Sequence, residues 1–140
     1  MKEKKKADKV IEALRKLQAD SIVLYMKIHN FHWNVRGLDF PQAHKAFDDL
    51  AERILQLNGT PVVTLAEALK ISKIKEETRT TFTSKETLKE VLKIYNNLHE
   101  DFESLAKLAD KDDDRVTASY CDDKLSELEK AIWMLSAQLS

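Results

Sequence analysis

A chain of 140 residues with a formal net charge of -1 has the length of one domain, and its balanced charge excludes a protein that coats nucleic acid along its whole surface. Two glycines, two prolines and 34% charged residues leave few sites for tight turns and favour long helices over sheet. The single cysteine, Cys121, rules out an internal disulfide and points to a reducing compartment. No run approaches the roughly 20 apolar residues of a membrane span, and the basic start lacks a signal peptide's apolar stretch. A soluble, cytoplasmic protein is the expectation.

Residues 1–9 form a basic N-terminal tail, with Lys2, Lys4, Lys5, Lys6 and Lys9 set against Glu3 and Asp8. Such a tail can neutralise DNA phosphates without reading sequence, and several tails on one assembly would bind more firmly than one. It can equally be the solvated entrance of a helix. Residues 10–140 carry four stretches of helical apolar period. In the first, Val10, Leu14, Leu17, Ser21, Leu24, Ile28 and Phe31 share one face, and Gly37 ends the region. The second holds Ala43, Phe47, Leu50, Ile54 and Leu57, with Asp39 as a cap, Pro41 in the first turn and Asn58-Gly59 as the stop.

A long connection, residues 59–83, follows, with a short helix expected over 65–71. Ser84 is the expected cap of the third helix, whose stripe is Leu88, Val91, Tyr95, Leu98, Phe102, Leu105 and Ala109. After a polar break at 110–114 comes the fourth, with Cys121, Leu125, Leu128, Ile132, Leu135 and Leu139. Three of the four helices should run for about 25 residues, roughly 37 Å, but the second, over 40–58, for only about 28 Å. Antiparallel bundles with short loops normally match their lengths. The expected fold is therefore an all-α four-helix bundle whose second helix is about three turns short.

The candidate chemistry is concentrated in residues 29–53. His44, Asp48 and Glu52 follow at i, i+4 and i+8, so one helical face carries all three. His29 and His32 lie one turn apart near the end of the first helix. Imidazoles with carboxylates suit iron, manganese or zinc, and helical bundles build such sites from inward-pointing side chains. A solvated helix edge with weak ion pairs has the same spacing. Trp33 is either an electron donor beside a metal centre or a core filler, and Trp133 reads as packing on the fourth apolar face. His99 stands isolated in the sequence, a structural or exposed residue. Asp110, Asp112, Asp113 and Asp114 read as a polar turn and helix N-terminus, with cation attraction as the other option; Asp122 and Asp123 are open between the two. No Gly-rich phosphate loop, nucleophile elbow or CxxC motif occurs, which excludes nucleotide chemistry and acyl transfer by those devices.

These residues carry a resemblance. KIHNFHWNVRG (27–37), His44, DDLAERILQL (48–57), TLAEAL (64–69) and AIWMLSAQL (131–139) resemble the Dps family of mini-ferritins, especially its neutrophil-activating-protein branch, over nearly the whole chain. The resemblance implies a ferritin-like four-helix bundle, a homo-oligomer in the form of a hollow twelve-subunit shell, and oxidation of ferrous iron, typically with hydrogen peroxide, to a stored ferric mineral. It implies an iron site between two subunits, His32 and His44 coming from one and Asp48 and Glu52 from the other. It also implies DNA contact through the lysine-rich start.

One departure stands out. Members place about fifteen residues between the second-helix histidine and the aspartate of D-x-x-x-E-R, where this chain places four; the roughly eleven missing residues make three turns plus about 20°, so each side chain keeps its face. Asp48 and Glu52 are nonetheless displaced by roughly 16 Å along the helix relative to His44. Two readings follow: an iron-oxidising, iron-storing mini-ferritin, or an assembly or DNA-binding bundle whose site and shell are broken by the truncation. A rearranged bundle with new self-association is a third.

Overall fold

In the computed structural model of the protein the described residues are 2–34 and 46–140, with side chains from Asp8 onward in the first segment and from Phe47 in the second. The helices among them are α1 (Lys2–Asn34), α2 (Ala46–Gln56), α3 (Leu65–Ile71), α4 (Ser84–Lys111) and α5 (Arg115–Leu139). The expected all-α bundle is observed, with its short helix in the long connection. The basic residues 2–9 continue α1 as helix. Gly37, Asp39, Pro41, Ala43 and His44 lie outside the described residues. α2 has 11 residues against 33, 28 and 25 in α1, α4 and α5.

The apolar stripes meet in one core. Leu14, Leu17, Leu24 and Phe31 of α1 pack with Leu50 and Ile54 of α2, Val91, Phe102 and Leu105 of α4, and Cys121 and Leu135 of α5. α1 and α4 run antiparallel: Lys16 pairs with Asp101, and Lys27 lies 3.0 Å from Glu90. The two lysines and the two carboxylates are each eleven residues apart, so the rods stay in step for roughly 16 Å.

α2 is antiparallel to both of its neighbours. Its start lies level with Tyr25, whose ring meets Phe47 edge-on at 5.8 Å. Its far end reaches Ile11, 2.8 Å from where a Cβ on Gly59 would stand. Against α5 it engages only the first turns, through Arg53 and Asp114 at 2.7 Å. Beyond them Leu125, Leu128 and Ile132 are half-buried.

α2 ends as its sequence suggests, with one difference of role. Asn58 takes the left-handed conformation (φ 64), and Gly59 N–H reaches back to Ile54 O at 2.8 Å while Asn58 N–H bonds Leu55 O at 3.0 Å, the paired closure of a Schellman motif. Gly59 serves the close approach to α1. The cap of α4 is Thr83 rather than the expected Ser84. Thr83 is extended (φ -86, ψ 155) and exchanges bonds with Glu86 in a capping box, which needs the T-x-x-E spacing that Ser84 lacks.

The connection 59–83 runs along α1, held by polar side chains. Arg15 bonds Thr60 O and Glu67, Gln18 bonds Val62, Asp20 bonds Ser72 and the Lys73 N–H, Lys27 donates to Lys75 O, and Asn30 donates to Glu77 O and Arg79 O. Gln18, Asp20 and Lys27 are buried polar residues of a mainly apolar helix. Burial is tolerable because each is satisfied by the strand of backbone it holds.

Candidate metal centre

The last turns of α1 bring one set of candidate donors to the surface. His32 is exposed in the final turn, where the helix's free carbonyls favour a cation. His29, half-buried, has its Nδ1 2.8 Å from Tyr25 O, which leaves Nε2 as its outward nitrogen. Its ring stacks on Tyr25 at 4.2 Å and meets Trp33 edge-on at 5.5 Å. Trp33 is 66% exposed, so it does not fill the core. It lies about 200° around the helix from buried Phe31, on the opposite face.

The second set comes from α2. Leu50 and Ile54 are fully buried, and Asp48 and Glu52, one turn apart, are exposed on another face. Asp48 and Asp49 occupy the first turn, where carboxylates are favoured by the helix dipole. Because α2 begins level with Tyr25 and runs away from His32, its carboxylates stand at least two turns, roughly 10 Å or more, short of His32 along α1. Among the described residues of one chain, no three His, Cys, Asp or Glu side chains gather to hold a metal ion. His44, which the sequence placed beside Asp48 and Glu52, is outside the described residues. The C-terminal half of α2 is anchored.

That anchor is Arg53, the final residue of D-x-x-x-E-R. Its Nε donates to Thr117 Oγ1 at 2.9 Å, one terminal nitrogen to Asp114 Oδ1 at 2.7 Å, and the other to Gln56 Oε1 at 3.0 Å. Asp114 also caps α5, accepting from Thr117 N–H at 3.0 Å and from the Thr117 hydroxyl at 2.5 Å. Burial alone would raise the Asp114 carboxyl, but the Thr117 bonds and the Arg53 guanidinium outweigh it and hold the group below its ordinary value. The motif string displayed Arg53, but its partners lie on a helix about 60 positions away in sequence and no local spacing signals them.

Other candidates resolve as structure. The run at 110–114 is the α4–α5 turn: Asp112 ends α4, Asp113 is left-handed (φ 54) and Asp114 opens α5. His99 is not isolated, since its ring nitrogens lie 2.9 Å from Glu129 and 3.3 Å from Glu103, linking α4 to α5. Trp133 is 68% exposed and does not pack on the α5 core face; Ala131 and Leu135, two positions to either side, are the buried residues there, which turns Trp133 about 200° away. Of the basic start, Lys9 is exposed.

Comparison with known proteins bears on the same residues. The ferritin-like domain family matches residues 11–140. The DNA protection during starvation protein of Helicobacter pylori is 52% identical over 143 positions, covering 94% of this chain and 99% of that protein. Since 94% of 140 residues is about 132, about eleven of the 143 positions have no residue of this chain opposite them. Among solved structures, Helicobacter cinaedi CAIP is 50% identical with a TM-score of 0.85, covering 94% of this chain and 99% of that one. A Dps protein from Bacillus brevis is 35% identical with a TM-score of 0.87, covering 97% and 98%. No helix among the described residues is long and apolar enough to cross a membrane.

Proposed function

Because the chain belongs to the Dps family of ferritin-like proteins, we propose that it takes up ferrous iron, oxidises it and stores the ferric product in an oligomeric shell, and so protects DNA. The observation that carries this reading is the division of donors. Asp48 and Glu52 are exposed on α2, and His32 is exposed at another level of the same chain. Neither set closes on the other within one chain, so two copies are needed to bring imidazole and carboxylate together. His32 and His44 of one copy would face Asp48 and Glu52 of its neighbour, each set supplying what the other lacks. Imidazole holds ferrous iron at neutral pH, and carboxylate favours the ferric product.

Hydrogen peroxide is the oxidant in this reading. Two ferrous ions each give up one electron, and one peroxide accepts both as its O–O bond breaks, leaving two hydroxides for the ferric mineral. Passing both electrons together avoids the one-electron cleavage that releases hydroxyl radical. The test is ferrous oxidation followed by absorbance with peroxide as oxidant. Parental rates in His32→Ala and Glu52→Ala would remove these residues from the site.

A second reading is favoured by the four-residue interval between His44 and Asp48, where the family places about fifteen. In it the family bundle is kept as a DNA-binding or structural assembly, with iron oxidation lost. Lys2, Lys4, Lys5, Lys6 and Lys9 would then carry the contact with DNA phosphates, and salt would weaken it steeply. Deleting residues 1–9 should abolish DNA retention in a gel at low salt; retention without them rules this reading out. Particle mass measured with iron per particle separates both readings from a rearranged assembly that is not twelve subunits.

A further inference from the structure

Arg53 ties α2 to the head of α5. All three nitrogens of its guanidinium donate, to Thr117 of α5, to the α5 cap Asp114 and to the exposed Gln56, and the ion pair is largely withdrawn from solvent, with 18% and 13% of the Arg53 and Asp114 side chains exposed. A forked guanidinium between a carboxylate and a hydroxyl fixes direction as well as distance, which a point charge does not. α2 packs along α1 from Phe47 against Tyr25 to Gly59 against Ile11, while Arg53 is its polar tie to the head of α5. On one side it has Leu50 and Ile54, whose apolar contacts are not directional. Glu52 is the residue before Arg53, and Asp48 lies one turn further back. Any slip of α2 along α5 moves both carboxylates by the same amount.

We propose that Arg53 is a positioning residue of the metal centre, setting through Asp114 and Thr117 the height at which α2 offers Asp48 and Glu52 to iron. The inference rests on the reading of those two carboxylates as iron ligands. Arg53 itself touches no metal in it. Asp114 keeps its place at the head of α5 through Thr117 when Arg53 is removed, so the clamp can be opened without unfolding the cap.

The test uses Co(II), a redox-inert ion whose visible spectrum reports its ligands, titrated into the full-length protein and into Arg53→Met, Arg53→Lys, Thr117→Val and Glu52→Gln. Affinity in Arg53→Met should fall roughly 10- to 100-fold, the range for a residue that orients ligands. The visible bands should also weaken, at a temperature where circular dichroism shows the parental helix content. Arg53→Lys keeps a cation beside Asp114 and should recover part of the affinity; Thr117→Val, which leaves the ion pair, should lose less. A merely structural residue would change the melting point and leave the spectrum of bound Co(II) alone. If Arg53→Met is unfolded, Thr117→Val decides, and a parental affinity and spectrum there overturns the clamp. Parental Co(II) binding in folded Arg53→Met, alongside loss in Glu52→Gln, overturns the clamp and spares the site. A parent protein that binds no Co(II), or binds it regardless of Glu52, overturns the site reading and this inference together.

Discussion

The Gln18 side chain and the Val62 backbone exchange two hydrogen bonds: Nε2 donates to Val62 O at 3.0 Å, and Val62 N–H donates to Oε1 at 2.8 Å. Both residues are buried. One amide thus satisfies a stretch of backbone that has no sheet or helix partner, at the point where the chain leaves α2 and turns along α1. Replacing Gln18 by Ala orphans a buried donor and a buried acceptor, each at about 1–3 kcal/mol. The expected outcome is a loss of about 2–6 kcal/mol in urea unfolding, with the transition slope unchanged. A loss under about 1 kcal/mol would mean that water reaches Val62.

Gly59 is held by space. A Cβ there would stand 2.8 Å from Ile11 Cγ2 and 2.9 Å from Ile54 Cγ2, and both obstacles are branches fixed next to their backbones. Gly59→Ala should destabilise by about 1–3 kcal/mol. Pairing it with Ile11→Ala tests the cause, because removing Ile11 Cγ2 should make the double variant less damaged than the sum of the two singles.

Asp113 adopts φ 54 in the α4–α5 turn, a region in which glycine carries no steric penalty. Asp113→Gly should therefore stabilise by a few tenths to about 1 kcal/mol, and Asp113→Val should destabilise. Thermal melts of the two variants moving in the same direction would contradict this account of the turn.

Asp114 makes acid stability a readout of the α2–α5 junction. Its folded carboxyl is held below the ordinary 3.8, so the stability it contributes is complete above that value and is lost as pH falls through the lower folded one. Asp114→Asn should flatten the stability–pH curve below about pH 4. An unchanged acid limb would assign the acid sensitivity to other carboxylates.

Cys121 is fully buried, and burial pushes its thiol up to about 12, with Asp122, Asp114 and Asp110 adding to the effect. At pH 8 a disulfide reagent should leave the folded protein unmodified and react in full once denaturant is added. Rapid labelling of the native protein would show that α5 opens readily.

The apolar stripes were legible in the sequence because helical period is a local signal. All seven residues read on the α4 stripe and all seven on the α1 stripe are buried. The α5 stripe was read equally cleanly, yet Leu125, Leu128 and Ile132 are only half-buried, because burial depends on what packs against a stripe and the stripe does not encode that. Gln18, Asp20 and Lys27 gave no sequence signal at all. A polar residue earns a buried place only through partners far along the chain, here between residues 62 and 90. The same limit applies to the candidate metal centre. Residue types and spacing nominate His32, His44, Asp48 and Glu52, while the tie of α2 to the head of α5 runs through Arg53, whose acceptors Asp114 and Thr117 lie about 60 positions downstream.

The connection strapped along α1 leaves that helix with almost no idle side: Leu17, Gln18, Ala19, Asp20 and Ser21 are consecutive and all buried, the apolar ones packed in the two hydrophobic clusters, Gln18 and Asp20 tied to the strap, and Ser21 bonded back to Leu17 O. A helix in that position serves as the axle of the subunit. Random substitution should accumulate on the outward faces of α4 and α5 and be purged from the middle of α1, including at positions whose chemistry looks interchangeable on paper.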